Sequence, residues 1–104
     1  MRRSKYGAVR TTVDGITFAS KKEARRYSEL KLLERAGEIG TIALQQGYDI
    51  IVCGNKICRY VSDFAYRTKD GEQVVEDVKG VRTSTYRLKA KLMQAIYGIT
   101  IKET

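Results

Sequence analysis

"RYVSDFAYRTKDGEQVVEDVKG", Arg59 to Gly80, holds two extended runs around a turn, and each run carries an acid among aromatic and small apolar residues. Asp63 follows Tyr60, Val61 and Ser62, while Asp77 follows Val74, Val75 and Glu76. An unpaired buried carboxylate is costly or becomes protonated, so each acid needs a partner. Side chains alternate along a strand, which puts Val75, Asp77 and Lys79 on one face and Val74, Glu76 and Val78 on the other. Alone, Asp77 and Lys79 would be a plain surface salt bridge worth about 0–1 kcal/mol. The turn decides what else they meet. A two-residue Asp70-Gly71 turn would set Asp63 against Val78, on the wrong face. A three-residue loop, Lys69-Asp70-Gly71, sets Asp63 opposite Asp77, and Gly71 stands where that loop class takes a left-handed residue. Directly opposed residues have Cβ atoms about 5 Å apart, so the two carboxylates repel unless a cation lies between them. Mg²⁺, which prefers oxygen ligands, would satisfy both.

Outward from this hairpin, "SKKEARRYSELKLLERAG" reads as a helix over residues 20–36, stopped by Gly37. Glu23, Tyr27 and Leu30 form its sheet-facing stripe. Ser20 and Glu23 also have the spacing of a capping box, which gives Glu23 a purely structural alternative. "AVRTTVDGITF" predicts a short hairpin turning at Asp14-Gly15. "TIALQQGYDIIVCG" and Arg59–Arg67 read as strands, followed by Glu72–Lys79. "STYRLKAKLMQAIYG" reads as a second helix with Leu88, Leu92 and Ile96 as its stripe and Gly98 at its end, and "ITIKE" as a closing strand. The expected fold class is α/β, a mixed sheet in the order α-β-β-β-α-β preceded by a short amino-terminal hairpin. Without prolines, repeats or linkers, residues 1–104 read as one domain, with 1–18 as its arm and hairpin.

A net charge of +8 in so short a chain points to a polyanionic partner, most simply nucleic acid. The absence of histidine excludes Ser-His and Cys-His catalysis and histidine metal sites. Two cysteines, Cys53 and Cys58, are too few for a closed zinc site and read as ordinary hairpin residues. No apolar run suits a membrane span or a signal peptide, so the expected location is the cytoplasm where the chain is made.

"FASKKEARRYSEL", "YVSDF" and "VVEDVKG" together resemble the restriction-endonuclease-like PD-(D/E)xK nucleases, over roughly residues 16–97. Within that superfamily the chain resembles phage endonuclease I type Holliday-junction resolvases and related small phage nucleases. An aromatic-x-Ser-x-x-Glu helix start, a Tyr-x-x-Asp-Phe strand and an acid-x-Lys-Gly strand end recur there in the same order. The resemblance implies Asp63 as the central metal-ligand aspartate, Asp77 and Lys79 as the acid-x-Lys pair, and Glu23 as the helix glutamate. Ser62 replaces the motif's proline. Glu76 is a rival acid, disfavoured by alternation and by its spacing to Lys79.

The implied activity is a Mg²⁺-dependent, structure-selective endodeoxyribonuclease, sharpest as a Holliday-junction resolvase, with Mn²⁺ as a substitute metal. Asp63, Asp77, the Val78 carbonyl and Glu23 would hold the metal, which activates water and stabilises developing charge. Lys79 would orient the water or neutralise the phosphate. Lys21, Lys22, Arg25, Arg26, Arg82, Arg87, Lys89 and Lys91 are candidate contacts to the DNA backbone. Symmetric cutting of branched DNA implies a homodimer, in the host cytoplasm if the gene is phage-borne. Two alternatives stand beside this: a nicking or double-strand endonuclease working with a larger partner, and a non-catalytic nucleic-acid-binding protein on the same fold.

Overall fold

A computed structural model describes residues 9–79 and 81–104. The first eight residues of the expected arm, and the Gly80 that ends the acid-x-Lys-Gly stretch, lie outside the described residues. A short hairpin, β1 (Thr11–Val13) and β2 (Ile16–Phe18), opens the chain. Its Asp14-Gly15 turn has both residues at positive φ, 53° and 76°, as the tightest hairpin turns require. Helix α1 spans Lys21–Arg35. Ser20 Oγ accepts the Glu23 N–H at 3.1 Å, which fixes the helix start where the sequence placed it.

Two long extended stretches follow, and each is broken where the sequence reads as continuous. The first divides into β3 (Ala43–Leu44) and β4 (Gly47–Val52), the second into β5 (Asn55–Val61) and β6 (Phe64–Arg67). β4 and β5 form a two-stranded arm, whereas β3 and β6 join a four-stranded sheet in the order β3-β6-β7-β8. The pairing register does not change across the break: Leu44 faces Phe64 and Gly47 faces Val61. Gln45 N–H donates to the Asp63 carbonyl and Ser62 N–H to the Gln46 carbonyl, so the hairpin bends without slipping. Gln45, at φ 50°, takes up the change of direction. The arm closes at Cys53-Gly54, both at positive φ. Cys58 sits opposite Ile50, and both cysteines are free thiols, as ordinary hairpin residues would be.

β7 (Gln73–Asp77) pairs antiparallel with β6, and α2 (Ser84–Tyr97) crosses over to β8 (Lys102–Glu103), which lies parallel to β7. The result is an α/β architecture with a helix on each side of the sheet. On one face α1 buries Ala24, Tyr27 and Leu30 against Phe18, Phe64 and Tyr66. On the other, α2 buries Tyr86 and Met93 against Ile50, Tyr60 and Val75. Each fully buried large apolar side chain, such as Leu30, Phe64 or Met93, contributes about 1.5–3 kcal/mol.

The stripe expected on α2 needs correction. Leu88 is 59% exposed and Ile96 39%, while Leu92 is only half-buried. The crossover from β7 to β8 turns the Tyr86–Met93 side inward instead. Among the described residues no helix is long and apolar enough to cross a membrane.

Candidate active site

The Lys69-Asp70-Gly71 loop is the three-residue form. Thr68 N–H donates to the Glu72 carbonyl at 2.9 Å across it, and Gly71 has φ 86°. Phe64 therefore faces Glu76, and one step further Asp63 falls opposite Asp77. The Val78 N–H turns to this edge and donates to Asp63 Oδ2 at 2.8 Å. Asp77 Oδ2 accepts from the Tyr60 hydroxyl at 2.6 Å and lies 3.4 Å from Lys79 Nζ. The two carboxyls thus come into hydrogen-bonding contact at the end of the strand pair, with the lysine beside Asp77.

The electrostatics carry the mark of crowding. Burial pushes the Asp63 carboxyl up to about 7, and hydrogen-bonding contact with Asp77 pushes in the same direction, against the pull of the Val78 amide. Glu23 is also raised: burial dominates, the Ala19 amide opposes it, and the Asp77 charge adds to it. Glu23 is 8% exposed on the stripe with Tyr27 and Leu30, as its spacing predicted. Its carboxylate does not close on the aspartate pair. Among the described residues no three acidic, histidine or cysteine side chains gather tightly enough to enclose a metal ion.

Two clefts flank the pair. One, of about 300 Å³, is lined by Tyr60, Asp77, Lys79, Tyr86 and Lys89. The other, of about 280 Å³, brings Glu23 and Asp63 together beside Phe18 and Gln45. A roomier hollow of about 440 Å³, between Ala43, Tyr48, Ala65 and Gln73, touches none of these acids. Chemistry, not volume, locates the site.

The rival acid has a different fate. Glu76 has no exposed surface, and Arg26 Nε and Nη2 grip its two oxygens at 2.8 and 2.7 Å. The Tyr66 hydroxyl donates to the same carboxylate. Burial pushes the Glu76 carboxyl up, but the Arg26 and Tyr66 hydrogen bonds outweigh it and hold the group below the ordinary glutamate range. Arg26 therefore leaves the set of candidate DNA contacts, since its guanidinium is taken up by a buried partner. It lies one turn from Glu23 on the sheet-facing side of α1, and that spacing was the available signal.

The other basic candidates divide. Lys21, Arg25, Arg87 and Lys91 are exposed. Lys22 Nζ donates to the Lys79 carbonyl at 3.1 Å, which carries its charge to the acid-x-Lys strand. Lys89 Nζ donates to the Arg59 carbonyl at 2.8 Å, and Arg82 pairs with Glu103.

Two tyrosines were not singled out from the sequence as site residues. Tyr60 touches Asp77, and the Tyr86 ring lies 3.9 Å beneath Lys79 Nζ, a cation–π seat that fixes the ammonium. Period-two alternation hides Tyr60, because a straight strand would put it on the same face as Phe64. The bend at Ser62-Asp63 sends Tyr60 to the α2 side and Phe64 to the α1 side.

The donor set fits a hard cation: paired carboxylates, and a Val78 backbone edge that strand geometry turns toward Asp63. The model of the family described as "Protein of unknown function (DUF1064)" matches residues 3–102, and the chain belongs to that family. No curated protein and no solved structure matches it.

Proposed function

We propose that this chain is a Mg²⁺-dependent endodeoxyribonuclease on a restriction-endonuclease-like core, selective for branched DNA, with the four-way junction as preferred substrate. The observation that carries the reading is the contact of Asp63, one residue before β6, with Asp77 at the end of β7, with Lys79 at 3.4 Å from Asp77. Two crowded acids beside one fixed lysine leave an uncompensated negative charge, which a divalent cation relieves. Asp63 and Asp77 would hold the Mg²⁺ (Mn²⁺ as substitute) with the Val78 carbonyl, and Glu23 would act on its water shell. Bound there, the metal would supply positive charge against the phosphodiester and assist deprotonation of the attacking water.

The remaining work falls to the chain's own groups. Lys79, held over Tyr86, orients the attacking water or offsets charge on the phosphate. Lys21, Lys22 and Arg25 follow the backbone along the start of α1, and Arg87, Lys89 and Lys91 along α2. Selectivity would rest on DNA shape, because the basic side chains beside the site are placed for backbone contacts, which carry no sequence information directly. Paired cuts require two copies of the chain, hence a homodimer working in the cytoplasm.

The test is incubation with a labelled four-way junction and a matched linear duplex, with Mg²⁺ or EDTA. Preferential, EDTA-sensitive cutting of the junction is expected. Preferential cutting of linear duplex would favour the endonuclease that works with a larger partner. Inertness towards both would remove the enzyme. The position of Glu23 outside a closed metal cage favours one other reading, a non-catalytic nucleic-acid-binding protein, which predicts junction binding without cleavage.

A further inference from the structure

Each aspartate of the pair has one oxygen occupied by the fold. Asp63 Oδ2 accepts the Val78 amide, and Asp77 Oδ2 accepts the Tyr60 hydroxyl while lying beside Lys79 Nζ. Among the described residues, Oδ1 of each accepts no hydrogen bond from outside the pair. Tyr60 is itself fixed. It is 3% exposed, its ring stacks on Tyr48 at 6.3 Å between centroids, and it packs with Ile50, Val75 and Met93. Its hydroxyl therefore cannot follow a rotating carboxylate, and it clamps Asp77 in one rotamer. Outer donors of this kind orient metal-binding carboxylates and raise affinity without touching the ion.

We infer that Tyr60 is a positioning residue: by holding Asp77 Oδ2 it reserves Asp77 Oδ1, opposite Asp63, as a single-oxygen donor to a divalent cation. The inference rests on the metal-site reading above. It adds a residue that touches neither cation nor DNA, yet sets the affinity for the cation.

The test uses Mn²⁺ alone, with no nucleic acid, followed by the loss of free-Mn²⁺ electron paramagnetic resonance signal. Wild type, Tyr60→Phe and Tyr48→Phe are compared, with a melting curve for each. Tyr48→Phe removes a hydroxyl from the same cluster, one that makes no contact with Asp63, Asp77 or Lys79 among the described residues, and should bind Mn²⁺ as wild type does. Tyr60→Phe should melt within a few degrees of wild type and bind Mn²⁺ about 10-fold or more weakly. Equal affinity in Tyr60→Phe and wild type would overturn the role of Tyr60 and leave the metal site standing. Failure of wild type to bind millimolar Mn²⁺ would overturn both. Where Tyr60→Phe loses its fold, tyrosine ζ-carbon resonances of the wild type serve during Mg²⁺ titration. Tyr60 should shift and Tyr97 should not, and an unmoved Tyr60 signal at saturation overturns the inference.

Discussion

Glu76 and Asp77 are neighbours on one strand, both buried, and they live in opposite electrostatic worlds. Glu76 faces α1 and meets a guanidinium in a two-pronged grip plus a phenol. Asp77 faces α2 and meets a second aspartate, with one lysine at 3.4 Å. The first acid is compensated inside the fold and belongs to stability. The second shares its one lysine with Asp63, and the pair is left with surplus charge. A charge can be buried in a small protein for two reasons, and the balance tells them apart: one cation for one acid around Glu76, one cation for two acids around Asp77.

The largest expected effect breaks the compensated side. Arg26→Met strands the buried Glu76 charge and should cost about 3–5 kcal/mol in urea unfolding. Arg26→Met combined with Glu76→Leu should recover most of that loss, because both charges leave together. A double variant as unstable as the single one would show that the pair is not what holds α1 to β7.

On the surplus side the effect should be on activity instead. Asp77→Asn should cut junction cleavage by about 100- to 1000-fold, by the scale of removing one transition-state contact, with a melting temperature equal to or above that of the metal-free wild type. A large drop in melting temperature would contradict the idea that Asp77 is held at a cost to the fold. Lys79→Ala should slow cleavage by about 100-fold while junction affinity, read by anisotropy, changes only slightly.

The smallest effect separates Glu76 from Asp63 by the sign of their pH response. Glu76 titrates below the ordinary glutamate range in the folded chain, so its contribution is present above that range and is lost as pH falls through its folded value. Asp63 is pushed up to about 7, so its contribution to the metal-free fold is full below the ordinary aspartate value and is lost as pH rises through about 7. Mg²⁺ should therefore raise the melting temperature more at pH 8 than at pH 6. An equal rise at both would remove Asp63 from the metal site.

Much of this was readable in the chain because it depends on local rules. The turn chemistry of Lys69-Asp70-Gly71 set the register, and the register put Asp63 opposite Asp77. The stripe through Glu23, Tyr27 and Leu30 set the inner face of α1. What was not readable depends on where elements dock. Alternation carries no information about a bend, so the break at Ser62-Asp63, and with it Tyr60, was hidden. A run of basic residues does not say which arginine points inward, and Arg26 was placed with the wrong partners. On α2 the aliphatic positions looked like the core, yet the crossover geometry chose Tyr86 and Met93.

The loop joining β6 to β7 acts as a spacer whose length is a chemical specification. One residue more or fewer would leave every acid in the sequence and yet give Asp63 a neighbour from the opposite side of the sheet. Tolerance to substitution and tolerance to insertion part company there. Lys69 and Asp70 are solvent-facing and free to drift in identity, whereas their number is not. Across the family, exchanges at these two positions should be common and length changes should be absent.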